Sequence, residues 1–153
     1  LALAPAILLI LMASSIKYII TGAGILDTIL HALAGLLQGS HPFVAVIIVY
    51  GLVLLMELFI GSGSAKAFLI MPIIVPLADI IGVNRQIMVL AFQFGDGFSN
   101  LLYPTNPVLL IGLGLTVVSY TRWFKWVIKL QGIIFLLTLA ILEVALLIGY
   151  GPF

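Results

Sequence analysis

The residues of this sequence able to do chemistry fall into two short stretches set inside long apolar regions. The first is Gly61-Ser62-Gly63-Ser64-Ala65-Lys66-Ala67. The second runs from Gly95-Asp96-Gly97 through Ser99 and Asn100 to Pro104-Thr105-Asn106-Pro107. Such a density of glycine, proline and short polar side chains reads as loop. Within a bilayer, irregular backbone is tolerated only where protein or a water-filled cavity satisfies its polar groups. Each interruption ends one half-helix and starts another, so exposed carbonyls meet exposed N–H groups. Half-helix N-termini attract anions and C-terminal carbonyls attract cations. Two such interruptions suit a carboxylate-bearing solute travelling with Na⁺ or H⁺, as in a secondary transporter whose broken helices hold the site.

Two charges stand out in these stretches. Lys66 and Asp96 would each cost about 2.5–3.5 kcal/mol in the membrane on the insertion scale, so they are expected to meet. Lys66 is then offered to a substrate carboxylate, and Asp96 to H⁺ or Na⁺. Plainer roles exist for the same residues. Glycine and serine at a helix turn permit close packing, and Ser99 and Asn100 can simply satisfy backbone groups freed by a break. Glu57, one turn before the first stretch, is a structural partner for Lys66. Glu143 is expected to make a packed interior contact, Asp79 to be solvated, and His31 and His41 to be surface residues rather than ligands. Among other classes, an intramembrane aspartyl protease needs a second aspartate at the depth of Asp96, and the sequence has none. A serine-type hydrolase could be built from Ser62 or Ser64 with Lys66 as base, but leaves the second stretch without a role. An ion channel is the third reading, without a repeated carbonyl-filter motif to support it. The transporter reading calls for no catalytic residue and no cofactor beyond the coupling ion.

The elements that must position these stretches follow from composition and pattern. The 153 residues are 64% hydrophobic and 7% charged, against roughly 25% charged in soluble domains, and mean hydropathy is +1.39. An all-α integral membrane protein in a lipid bilayer is expected. A net charge of +1 is too small to suggest nucleic acid, and none is expected as a partner; the absence of cysteine excludes disulfides and thiolate sites. Residues 1–22 read as a span. The opening at Leu1, without methionine or a signal-peptide pattern, leads us to expect a preceding part of a longer chain. Residues 25–38 carry Asp27, His31, Gly35 and Gln38 at helical spacing, the pattern of an interfacial amphipathic helix. Residues 42–83 form two short arms around the Gly/Ser turn, the second broken by Pro72 and Pro76. They read as a re-entrant hairpin, with two full crossings as the rival. Residues 86–120 form a broken helix that brings Asp96 near the midplane after about ten residues. Asn106 as N-cap and Pro107 as first helical residue start its second half. Residues 127–150 are the last span. Arg122, Lys125 and Lys129, three of the six basic residues, place their connection in the cytoplasm beside Trp123 and Trp126. The C-terminus, His41 and Asn84 then face outward.

Several of these segments resemble the DcuC/YfcC-type carriers, a family of anaerobic C4-dicarboxylate carriers and related amino-acid transporters in the ion transporter superfamily. The similar segments are Gly61-Ser-Gly-Ser-Ala-Lys-Ala67, Met71-Pro72, Pro76-Leu-Ala-Asp79 and Arg85-Gln86. They continue with Phe92-Gln-Phe-Gly-Asp-Gly-Phe-Ser-Asn100, Pro104-Thr105 and Trp123-Phe-Lys-Trp126. The resemblance covers about residues 40–130. It implies the C-terminal inverted repeat of a multi-pass inner-membrane transporter that works by elevator-type alternating access. It also implies an N-terminal repeat as partner, a homodimer, and a small anionic or zwitterionic solute such as a C4-dicarboxylate or an amino acid. Carried over residue by residue, Ser62, Ser64 and Lys66 at the tip line the site, as do Asp96, Ser99, Asn100, Pro104 and Thr105 at the break. Gly61, Gly63 and Asn106 beside them are added as binding candidates, with a Na⁺ position expected near Gly61, Ser64, Asp96 and Asn100. Related members of the superfamily carry a serine-asparagine-threonine turn where this chain has Gly-Ser-Gly-Ser, so H⁺ and Na⁺ both stand as coupling ions.

Overall fold

The computed structural model describes residues 15, 18, 19, 22–37 and 39–152, among which every regular element is a helix. The expected first span, residues 1–22, lies almost wholly outside the described residues. Six helices follow: α1 (Ile25–Leu37), α2 (Pro42–Glu57), α3 (Gly63–Ile81), α4 (Arg85–Ser99), α5 (Pro107–Gly114) and α6 (Tyr120–Leu147).

Their ends follow local chemistry. His41 caps α2, its Nδ1 accepting from the Phe43 amide at 3.3 Å, with Pro42 in the first turn. Ser62 caps α3, which ends at Gly82 in the left-handed conformation (φ 69°), a geometry glycine adopts without steric cost. The Oδ1 of Asn84 accepts from Gln86 N at 2.8 Å to start α4. At α5, Asn106 Oδ1 accepts from Leu109 N at 3.1 Å and Pro107 stands at the first helical position.

α4 is the hub, packed on α2, α3 and α6. Its contact with α2 is closest at Gly95, where an added Cβ would lie 2.7 Å from Val53 Cβ and 3.2 Å from the Tyr50 carbonyl. The rings of Tyr50, Phe98 and Phe135, 5.8–6.5 Å apart, join α2, α4 and α6. Val46, Val49, Ile70, Ile74, Met88, Ala91 and Leu142 fill the core around them. α3 and α6 are long and apolar enough to cross a membrane. α6 exposes Trp126, Ile133, Leu136, Val144 and Leu147, as expected of a chain whose solvent is lipid. At one end of the bundle, Gly151 lies against Asn84 and Gln86, so the C-terminal turn and the α3–α4 turn share that end. Asp79 and Arg85 form an exposed two-pronged ion pair there at 2.7 and 2.8 Å.

Four expectations are corrected. Pro72 and Pro76 lie inside one continuous helix, α3. Each removes a backbone donor without ending it, and its 19 residues reach about 28 Å at 1.5 Å per residue. The interruption expected over residues 95–107 is confined to residues 100–106, with Gly95, Asp96 and Gly97 all helical. Gly95 is there because α2 and α4 touch, not because the chain turns. The last span begins at Tyr120 rather than at residue 127. Glu143 is exposed, not packed inside this chain. His31 and His41 are both exposed.

Candidate functional site

The two interruptions meet. Beyond α2 the chain turns through residues 58–62, and beyond α4 it is irregular over residues 100–106. Thr105 Oγ1 donates to the Glu57 carbonyl at 3.4 Å. A Cβ on Gly61 would lie 3.7 Å from the Thr105 carbonyl and 3.9 Å from Pro107 Cδ. The end of α2, the start of α3 and the start of α5 therefore converge on the last turn of α4.

At that convergence lies a cluster of three charges. Lys66, fully buried, forms ion pairs with Glu57, which is 1% exposed, and with Asp96. The Lys66 Nζ to Asp96 Oδ1 distance is 2.6 Å, and Asp96 is 22% exposed. Lys66 occupies the first turn of α3, Glu57 the last turn of α2 and Asp96 the last turn of α4. Two carboxylates against one ammonium leave the cluster an excess negative charge, and Asp96 is its accessible member. Asp96 also lies over the N-terminus of α3, because a Cβ on Gly63 would stand 3.0 Å from both of its carboxylate oxygens. The helix end and its free amides favour a carboxylate there.

The other expected residues take more varied places. Ser62 and Ser64 are exposed, their hydroxyls 3.3 Å apart, and Ser62 Oγ accepts from Ala65 N at 3.5 Å. Ser99 is buried and donates to the carbonyls of Gly95 and Asp96 at 3.0 Å each, so its hydroxyl serves its own helix. Asn100 donates to the Asp96 carbonyl at 3.1 Å and accepts from Asn106 Nδ2 at 2.7 Å. That amide pair closes the break across residues 100–106. Pro104 and Thr105 are half-buried at its rim. Among the described residues no group of three or more histidine, cysteine or acidic side chains could hold a metal.

The profile of the C4-dicarboxylate anaerobic carrier family, DcuC, matches residues 2–147. The chain belongs to this carrier family. It is 41% identical over 128 residues to "Putative basic amino acid antiporter YfcC" of Escherichia coli (strain K12), covering 84% of this chain and 25% of that protein. It is 31% identical over 130 residues to an uncharacterized protein of Haemophilus influenzae, with 85% and 25% covered. The chain thus spans about a quarter of the length of the curated relatives it matches. No solved structure matches it.

Within a carrier, the cluster argues against the hydrolase reading. An ammonium held between two carboxylates is not free to take a proton from Ser62 or Ser64, so that reading lacks its base. Glu57, weighed from sequence only as a structural partner of Lys66, belongs to the same cluster as Asp96. Its signal was a carboxylate standing alone in an apolar helix. Three side chains of α6 escaped notice altogether as site residues. Tyr120 Oη donates to the Leu102 carbonyl at 2.7 Å, Trp123 Nε1 to that of Leu101 at 2.9 Å, and Gln131 Nε2 to that of Phe98 at 3.2 Å. Tyr120, Trp123 and Gln131 recur on one stripe of a helix, and that spacing was the available clue.

Proposed function

We propose that this chain is the C-terminal repeat of a secondary active transporter. It moves a small carboxylate-bearing solute, a C4-dicarboxylate or an amino acid, coupled to H⁺ or Na⁺. The observation that carries this reading is the Glu57–Lys66–Asp96 cluster at the meeting of two helix interruptions. Buried charges in apolar surroundings are expensive unless they pair, and here one carboxylate exceeds the pairing. Lys66 and Glu57 form a neutral buried pair, which leaves Asp96 to take up a proton or Na⁺ from the accessible side. A substrate carboxylate drawn to Lys66 and to the amides at the start of α3 loosens Asp96 from Lys66, so solute arrival and ion loading become one event. The name of the Escherichia coli relative fits this class. A basic amino acid brings a carboxylate for the helix N-terminus and a cation for the excess carboxylate.

In this reading α2 and α3 are the arms of a re-entrant hairpin whose tip, Gly61–Lys66, faces the break through Asn100, Pro104, Thr105 and Asn106. An inverted N-terminal repeat supplies the other half of the site, and a homodimer holds the scaffold. Elevator-type movement exposes the site alternately, with the Arg122–Lys129 connection in the cytoplasm of the inner membrane and the C-terminus outside. The test is transport by the full-length protein in proteoliposomes under imposed H⁺ or Na⁺ gradients, with labelled C4-dicarboxylates and amino acids. Saturable accumulation that follows one of the gradients is expected. Flux that only equilibrates the solute and does not saturate would instead indicate a channel.

A further inference from the structure

Every carbonyl of an α-helix except those of its last turn accepts from the amide four residues on. At the end of α4 the carbonyls left over are satisfied in a particular way. Leu102 N, the helical partner of the Phe98 carbonyl, bonds the Ser99 carbonyl at 3.1 Å instead. Asn106 N, the helical partner of the Leu102 carbonyl, bonds that of Tyr103 at 3.1 Å. The tighter turns of the break thereby leave the Phe98 carbonyl, in the last turn of α4, and the Leu102 carbonyl, beyond it, without the amide that a longer helix would supply. Both are taken up by α6, through Gln131 Nε2 at 3.2 Å and Tyr120 Oη at 2.7 Å, and Trp123 Nε1 takes the Leu101 carbonyl at 2.9 Å. In a medium without water, a stripped carbonyl must find another donor or recover its amide. Recovery would mean regrowth of α4 past Ser99, up to the obstacle that Pro104 presents.

We propose that Tyr120, Trp123 and Gln131 are positioning residues that hold the helix break open. Resting on the transporter reading above, this makes the polar half of α6 part of the solute-binding unit. The three donors occupy one stripe of α6, which continues through the buried Thr138, Leu142 and Ala145. The donors of its first half reach the break, whereas Leu142 and Ala145 further along are apolar and buried. By setting where α4 stops, the donors set the register of Asn100, which bonds the Asp96 carbonyl and Asn106. None of the three needs to touch solute.

The test uses the full-length protein in proteoliposomes with Tyr120→Phe and Gln131→Met, which remove a donor at nearly constant shape, singly and together. Leu142→Ala, on the packing half of the same stripe, is the control. The KM for solute and for the coupling ion should rise about fivefold for each donor lost, the worth of one neutral hydrogen bond, with Vmax much less affected. Leu142→Ala should lower the melting temperature and leave both KM values in place. KM values that stay at the parent level in the double variant, with only the melting temperature lowered, would overturn the inference. A parent protein that shows no saturable transport would instead overturn the transporter reading on which it rests.

Discussion

Replacing Lys66 by methionine should be the most destabilising single change in the charge cluster. Methionine keeps most of the apolar stem, so little packing is lost. What disappears is the ammonium that, among the described residues, alone pairs with Glu57 and Asp96, which are 1% and 22% exposed. Removing one partner from a buried pair typically costs about 3–5 kcal/mol, because the survivor is left charged and unpaired. Here two carboxylates are left facing one another, so the upper part of that range is expected. Glu57→Gln leaves Lys66 its contact with Asp96 at 2.6 Å and should cost less, about 1.5–3 kcal/mol. The decisive comparison is a triple variant carrying Lys66→Met, Glu57→Gln and Asp96→Asn. It contains no charge in the cluster and should recover most of the stability lost by Lys66→Met alone. The assay is denaturant unfolding of the purified full-length protein in detergent. Unfolding of Lys66→Met at the parent's midpoint, or no recovery in the triple variant, would show that the three charges do not form one energetic unit.

Gly95→Ala would force α2 and α4 apart, since its Cβ would lie 2.7 Å from Val53 Cβ where carbon atoms rest at about 3.5–4.0 Å. A loss of about 1–3 kcal/mol is expected, and Val53→Ala should not rescue it because the Val53 Cβ remains; rescue by Val53→Ala in a thermal melt would contradict this geometry. Asn100→Ala and Thr105→Ala should impair transport while folded protein stays in the membrane. Parent-level uptake by both would move the site elsewhere. Cysteines at Ser62 and Ser64 should resist an impermeant cytoplasmic reagent in an outward-facing state, and free labelling in every state would make the tip an ordinary exposed loop.

The helical class of the chain and the residues that start several helices were legible in the sequence, because they depend on local chemistry. Asn106-Pro107 is an example: an N-cap followed by a residue without an N–H acts within one turn. The extent of the break was not legible. Gly95 and Gly97 look alike in sequence, yet Gly95 meets Val53 across a helix contact while Gly97 has open space around it. Only packing separates a contact glycine from a turn glycine. For Ser99 the plainer of its two readings, a hydroxyl that satisfies backbone carbonyls, is what the structure displays. The meeting of Lys66 with Asp96 could be anticipated from the cost of isolated charge in an apolar chain. The pairing of Glu57 with Lys66 could be anticipated too, from its place one turn before the tip; that one ammonium holds both carboxylates at once could not, because it is decided by how the ends of α2, α3 and α4 converge. The α6 donors were hidden for a related reason. Trp123 sits among basic residues and reads as an interfacial anchor, whereas its N–H, like the O–H of Tyr120, reaches the backbone of the break.

The central claim, that Asp96 couples ion to solute, is tested most directly by Asp96→Asn in the reconstituted full-length protein. Two quantities are measured side by side over a range of pH: solute–solute exchange, and accumulation driven by an imposed ion gradient. The account predicts that exchange survives, because the amide keeps the shape of the site, while gradient-driven accumulation is lost. Accumulation at the parent level at every pH would contradict it.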